Sequence, residues 1–282
     1  MQVQKVGIIL KKGSKEPQRV GRELAVWFKE KSIEPVIDSM TPDMDMLVIL
    51  GGDGTLLHVA EYAARHRIPV VGVNLGGLGF LTEVSVDERY IALEAILSGS
   101  VTIEERMMLK ARLHVGRKPT SWRYFLNDVV ISKGSVDHLV QLSTWADEEY
   151  ITTYRADGLV FSTPTGSTAY NLSAGGPIVQ PALRAILVTP ICPFMLESRP
   201  VLLPSTVRLT TKMAGVVNDV KVIVDGKFSW QMKEDDLLEV AEAEKNLLLI
   251  CSPQKGYFEI LRNKLNWGGR AGCRRPNIWQ EK

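Results

Sequence analysis

Cysteine is scarce in this chain: Cys192, Cys251 and Cys273 are all it has, and no two stand in a Cys-x-x-Cys spacing. So odd and scattered a set excludes a disulfide framework and a thiolate zinc site, and reduced thiols of a cytoplasmic protein are expected instead. A long apolar run is missing too. Ala185 to Leu196 comes closest, but Pro190 and Pro193 interrupt it, and a membrane span needs about 20 apolar residues. Val6 to Leu10 is too short for the core of a signal peptide, and Lys11-Lys12 follows on its wrong side. Excess charge is also missing. The 34 basic and 32 acidic residues leave a net +2, which gives no electrostatic reason to expect nucleic acid or an anionic membrane as a partner. What remains is an ordinary globular composition, 45% apolar and 23% charged over 282 residues, long enough for two domains.

The first hundred residues alternate between two periodicities. Val3 to Leu10 reads as a strand, and Pro17 opens a helix in which Val20, Leu24, Trp27 and Phe28 recur at helical spacing. Glu34 to Ile37 and Met46 to Leu50 read as strands. The second of these stops at Gly51-Gly52-Asp53-Gly54-Thr55, after which Leu56, Val59, Ala60 and Ala63 mark one face of a helix running to Arg65. Pro69 to Val73 is the next strand and also ends in glycines, Asn74-Leu75-Gly76-Gly77-Leu78-Gly79-Phe80, followed by a helix from Asp87 to Leu97. This alternation predicts a parallel α/β sheet, whose ligands bind beyond the carboxyl ends of the strands. Two glycine turns at two such ends therefore predict one cleft. Glycines at 51, 52 and 54 are expected to bend the backbone through positive φ and to bare its N–H groups. The helix that follows adds its partial positive charge, which suits phosphate. A carboxylate there would repel an anion unless a metal or a reacting hydroxyl lay between them. Asp53 is thus either a functional group or the Asp-Gly of a plain turn.

From about Ile103 the pattern changes to period-two alternation, as in Leu109 to Val115, Arg123–Ser132, His138–Ala146, Thr206–Thr211, Val220–Val224 and Leu237–Ala241. That marks half-buried antiparallel strands. Near the end, Phe258, Leu261 and Leu265 sit at helical spacing, and beyond Trp267 comes a basic tail with Arg270, Arg274 and Arg275. The densest polar signal is Tyr154-Arg155-Ala156-Asp157-Gly158 followed by Ser162 to Ser173. As a bland reading it is a surface loop; against that, the small residues Ala174-Gly175-Gly176 suggest a bulky partner lying on the backbone. Tyr170 would serve as a stacking platform. Asn127-Asp128 interrupts an apolar run, so both residues must be paired or face a ligand. An adjacent amide and carboxylate suit a ribose diol, and equally an edge strand or a bulge.

Taken together, Gly51 to Thr55, Asn74 through Leu81, Asn127-Asp128, Asp157-Gly158, Thr163 to Tyr170 and Gly175-Gly176-Pro177 resemble the NAD kinase family over nearly the whole chain. Gly-Gly-Asp-Gly-Thr alone also occurs in diacylglycerol, sphingosine and 6-phosphofructokinases, whereas the Thr-Pro-Thr-Gly-Ser-Thr-Ala-Tyr block is far more selective. The resemblance implies transfer of the γ-phosphoryl group of ATP, or of another donor such as polyphosphate, to the 2′-hydroxyl of the adenosine ribose of NAD, giving NADP. A divalent metal, Mg2+, is implied as cofactor, with no ligand carried over for it. The implied fold is an α/β N-terminal domain with a parallel sheet, Rossmann-like or phosphofructokinase-like, over residues 1–102. An all-β sandwich-like, NAD-binding domain covers 103–250, and a segment at 251–282 returns to the first domain. A homodimer or homotetramer is implied, in which sites can include residues of a neighbouring subunit.

Residue by residue, the resemblance makes Asp53 the proton acceptor and gives Gly51, Gly52, Gly54, Thr55 and Phe80 to the nucleotide. Asn127 and Asp128 match the pair that holds NAD hydroxyls. Thr165, Thr168, Ala169, Tyr170, Asn171, Leu172 and Ser173 match the dinucleotide-binding segment, and Arg155 and Asp157 its flanking contacts. His58 and His138 fall where relatives contact ligand, or are plain surface histidines. Lys227 stands where many relatives have Gln, and is expected to touch dinucleotide or phosphate; Phe194-Met195 replaces a frequent His-Ser. The rival readings are a lipid kinase, which would carry a Gly-Thr-Gly-Asn-Asp block absent from this sequence, and a non-catalytic dinucleotide sensor.

Overall fold

The computed structural model describes residues 3–116, 118–134, 138–195, 197–215, 219–252 and 254–267. The basic tail and Cys273 lie outside them. Its first sheet runs Glu34–Ile37, Lys5–Leu10, Met46–Leu50, Val70–Asn74, Leu247–Ile250, Ile103–Arg106, with Val84–Ser85 paired to Val70–Asn74. All these pairs are parallel except the last of the row, Leu247–Ile250 against Ile103–Arg106. Met46–Leu50 and Val70–Asn74 are buried along their whole length because both sheet faces are covered. Helices α1 (Lys15–Glu30) and α3 (Arg89–Leu97) cover one face through Val20, Leu24, Phe28, Leu93 and Ile96. Helix α2 (Asp53–His66) covers the other through Leu56, Val59, Ala60 and Ala63.

The remaining strands form two antiparallel sheets. One runs Val201–Pro204, Ala185–Ile191, Gly158–Ser162, Asp128–Lys133, Val220–Val224, Phe228–Met232. The other runs Glu149–Ala156, Val140–Ala146, Leu209–Ala214, Leu237–Glu242, Leu109–Val115, Lys118–Pro119, with Arg123–Phe125 also on Leu109–Val115. They pack face to face through alternate residues: Val129, Ile131, Leu159, Phe161 and Val222 from the first meet Leu113, Leu142, Tyr154, Met213 and Leu238 from the second. The other α-helices among the described residues are α4 (Tyr170–Ser173), which follows a 3-10 turn at Thr165–Thr168, and α5 (Tyr257–Leu265).

Two sequence expectations shift. Ile103–Arg106 and Leu247–Ile250, placed by the 102/103 and 250/251 boundaries in the β-rich unit, are strands of the first sheet. Burial explains it: Leu247, Leu249 and Ile250 are closed in against the cores that flank α2 and α1. Arg123–Ser132, read as one strand, is two. Arg123–Phe125 belongs to one sheet and Asp128–Lys133 to the other, so the chain crosses the sandwich at Leu126-Asn127. Helix α5 lies against the first lobe, with Ile260 and Leu261 buried, Lys255 paired to Glu88 at 2.6 Å, and Lys264 over the Phe80 ring at 5.7 Å. No helix among the described residues is long and apolar enough to cross a membrane.

Candidate active site

The two glycine turns meet, and Asp53 is where they meet. Phe80 N–H donates to its Oδ2 at 2.9 Å. Leu81 N–H at 3.0 Å, Thr82 N–H at 3.1 Å and the Thr82 hydroxyl at 3.0 Å donate to its Oδ1. Asn74 sets that loop in place: its side-chain amide donates to Gly77 O at 2.7 Å and to Thr82 Oγ1 at 3.0 Å, and its Oδ1 accepts Gly76 N–H at 2.8 Å. Gly79 is required by this closeness, since an added methyl there would overlap Asp53 Oδ1 and Thr82 Oγ1.

The glycines of the first turn act differently from the sequence expectation. None of Gly51, Gly52 and Gly54 has positive φ. Gly51 is small because a side chain would strike Thr55 Oγ1 and the Lys11 stem, whereas the space beside Gly52 and Gly54 is open. That open side is a cleft of about 950 Å3 lined by Lys11, Lys12, Asp38, Gly52, Gly54, Thr55 and His58. Lys11 and Lys12 at the end of the first strand and the N-terminus of α2 therefore line one cleft with the bare backbone of Gly52 and Gly54, a setting for phosphate. Sequence reasoning saw the cationic end of that strand without assigning it to the site, and missed Asp38, which takes Leu10 N–H at 2.8 Å.

Across the lobe boundary, Asn127 and Asp128 stand at the crossing point of the sandwich. The buried Asp225 carboxylate makes that crossing possible by accepting three successive N–H groups: Leu126 at 3.0 Å, Asn127 at 2.9 Å and Asp128 at 3.1 Å. Sequence reasoning gave Asp225 no role. Polar residues in an apolar run were the signal that a buried partner was needed. Asp128 is 7% exposed. Burial, reinforced by the charge of Asp225, pushes its carboxyl up to about 7, against the pull of a hydrogen bond from the Tyr170 backbone. Burial likewise raises Asp225, opposed by Lys227 and the three N–H groups.

The Thr163–Ser173 segment folds over this point. Thr163 N–H donates to Asn127 O at 2.9 Å, its hydroxyl to Leu126 O at 2.5 Å, and Gly166 is bare because a side chain would overlap Asn127 O. Thr165 is buried, Thr168, Ala169 and Leu172 are half-buried, and Tyr170 and Ser173 are exposed. Tyr170 thus leaves its ring available for stacking. Asn171 turns the other way. It is fully buried, donating to Ser167 O and Pro177 O at 3.1 Å each and accepting from the Thr189 hydroxyl at 2.6 Å. Gly176 is small to fit against Asn171, so it serves internal packing, whereas Gly175, with open space beside it, is set by its positive φ of 86°.

Not every expected residue joins the group. Asp157 precedes Gly158–Ser162, whose far end, Ser162, pairs with Asp128. At about 3.3 Å per strand residue the backbone of Asp157 lies roughly 16 Å along the strand from the level of Asp128. Asp157 pairs with Lys133 at 2.7 Å, and Arg155 lies over the Phe194 ring at 5.4 Å. His138 is exposed and lies near the same end, since Val140 pairs with Ala156. Lys227 is directed away from the cleft and onto α2, where its ammonium donates to Leu57 O and stands 3.7 Å from Asp225 Oδ2.

Comparison with known proteins matches this geometry. The ATP-NAD kinase N-terminal domain profile matches residues 9–101 and the ATP-NAD kinase C-terminal domain profile residues 126–252. The chain is 41% identical over 273 residues to an NAD kinase of Geotalea daltonii, covering 90% of this chain and 96% of that one. It is 42% identical over 283 residues to an NAD kinase of Geobacter metallireducens, covering 95% and 100%. Among solved structures, yeast NADH kinase complexed with NADH superposes with a TM-score of 0.86 at 25% identity, covering 97% of this chain and 90% of that one. An Archaeoglobus fulgidus NAD kinase in complex with ATP gives 0.77 at 20% identity, covering 93% and 99%. Two lobes of these architectures, each matched by its family domain, and relatives about 40% identical over nearly the whole chain place this chain in the NAD kinase family, whose reaction is the phosphorylation of NAD to NADP.

Proposed function

We propose that this chain transfers the γ-phosphoryl group of ATP to the 2′-hydroxyl of the adenosine ribose of NAD, with Asp53 as proton acceptor. The observation that carries this reading is the Asp53 carboxylate, fixed between a phosphate-suited cleft and a loop that orients it. Oδ1 already accepts three hydrogen bonds and Oδ2 one, so Oδ2 retains the lone pair that a hydroxyl needs. In the step, the 2′-oxygen forms a bond to the γ-phosphorus, the bond to the β,γ-bridging oxygen breaks, ADP leaves, and the hydroxyl proton passes to Asp53. Such transfers have a loose transition state, so positioning and charge neutralisation dominate and the base acts late.

Lys11, Lys12 and the N-terminus of α2 would neutralise the triphosphate, Asn127 and Asp128 would hold ribose hydroxyls, and Tyr170 would stack on a base. Among the described residues no group of three or more His, Cys, Asp or Glu converges on a point that could hold a metal ion. That fits a magnesium ion that arrives on the triphosphate and keeps several waters, with Asp53 the protein carboxylate that would face it. Bound there, it would offset charge on the transferring group. Arg155, Asp157 and His138, at the far end of the strand, would reach a dinucleotide only from a second copy, in a homo-oligomer. The test is direct: pure protein mixed with ATP, magnesium and NAD. NADP should accumulate with equimolar ADP, and absence of NADP would refute the reading.

A further inference from the structure

We propose that Lys227 is a positioning residue for this reaction: its ammonium braces the helix that begins at Asp53 against the carboxylate that carries Asn127 and Asp128. This rests on the reading above, but the observation behind it is separate. Lys227 leaves a tight turn in which Asp225 and Gly226 both have positive φ, 46° and 67°, closed by Lys227 N–H on Val224 O at 2.9 Å. From there its side chain, 25% exposed, reaches the other lobe and donates to Leu57 O in the second turn of α2. The same ammonium stands 3.7 Å from Asp225 Oδ2, and the Asp225 side chain is only 2% exposed. Asp225 in turn holds the N–H groups of residues 126–128. A continuous path of charge-assisted contacts thus runs from the helix bearing the base to the pair facing the ribose.

Burial lowers the Lys227 ammonium, while Asp225 and Glu61, the latter from α2 itself, favour its charged form. A second contact, Arg65 of α2 over the Tyr124 ring at 4.6 Å, ties the other end of the helix to the β-rich lobe. Lys227 is the tie nearer Asp53, and it joins α2 to Asp225, which holds the N–H groups of residues 126–128. Phosphoryl transfer needs its reacting atoms about 3–3.5 Å apart, and a 1 Å displacement costs about 10²-fold. A brace between the two halves of the reacting geometry should therefore act on turnover rather than on affinity.

The experiment uses the full chain with Lys227→Met and Lys227→Arg. Lys227→Met should lower kcat about 10- to 100-fold with the dissociation constants of NAD and ATP nearly unchanged. Lys227→Arg, which keeps charge and donors, should recover most of the loss. Hydrogen exchange supplies a readout independent of activity: peptides covering 53–57 and 126–128 should both exchange faster in Lys227→Met than in wild type or Lys227→Arg. Weaker NAD or ATP binding with kcat intact would make Lys227 a ligand contact and overturn the proposal. A lowered melting temperature with kcat intact, or unchanged exchange in both peptides, would overturn it too. Wild-type protein that made no NADP would instead refute the proposed reaction, and the exchange result would still decide on the brace.

Discussion

Replacing Asp128 by Asn should stabilise the protein at mildly alkaline pH while weakening its hold on NAD. In the folded chain burial and the neighbouring Asp225 push this carboxyl from 3.8 to about 7, so above pH 7 the native state carries an ionised, nearly buried carboxylate that the unfolded chain ionises at no cost. A folded-state value raised above the unfolded one means that the native state binds more protons between the two. Stability is then fully present below 3.8 and falls as pH rises towards 7. The separation corresponds to a ceiling of about 4 kcal/mol at pH 8. Asn has the same shape and keeps an oxygen for the Tyr170 N–H, so about 2–4 kcal/mol should be recovered, a rise in Tm of roughly 5–10 °C. At pH 5 the native Asp128 is protonated, the ceiling drops to about 1.6 kcal/mol, and the Tm difference should shrink accordingly. Affinity should move the other way, because a charged acceptor for ribose hydroxyls is lost: NAD should bind about tenfold more weakly. Calorimetric melting of both proteins at pH 5 and pH 8, with a titration of NAD, checks all three. An unchanged or lower Tm for the variant at pH 8, or a gain independent of pH, would refute the reasoning.

Gly79→Ala places a methyl where Asp53 Oδ1 and Thr82 Oγ1 now stand; steady-state assay should show kcat down by about 10²-fold with the fold retained by circular dichroism. Replacing Lys11 and Lys12 together by Met removes two cations from the cleft and should raise KM for ATP about tenfold while leaving KM for NAD alone. The difference from wild type should narrow as salt is added.

The sheet architectures were legible because burial on two faces and burial on one face write different patterns. Met46–Leu50 is apolar throughout, while Leu109–Val115 alternates. The candidate site was legible where chemistry conflicts with surroundings, as at Asp53 in a glycine turn, which the structure brings to the second glycine turn, and at Asn127-Asp128 in an apolar run, where the chain changes sheets. Partners that act through space were not. Nothing local in Asp225 shows that it gathers the N–H groups of residues 126–128, almost a hundred positions earlier. Lys227 reads as a contact to dinucleotide or phosphate, and only the packing of the lobes sends it to Leu57. Asn171 sat among residues expected to touch ligand, yet a helical turn rotates it inward. Gly176 is explained by that rotation, and periodicity carries no information about it.

The central claim is that Asp53 takes the proton of the attacking hydroxyl. The measurement that tests it most directly is the turnover of Asp53→Asn, with NAD and ATP binding measured on the same sample. Removal of a base should lower kcat about 10²–10⁴-fold, with both ligands still bound and the fold intact. A correctly folded Asp53→Asn that forms NADP at nearly the wild-type rate would contradict the account.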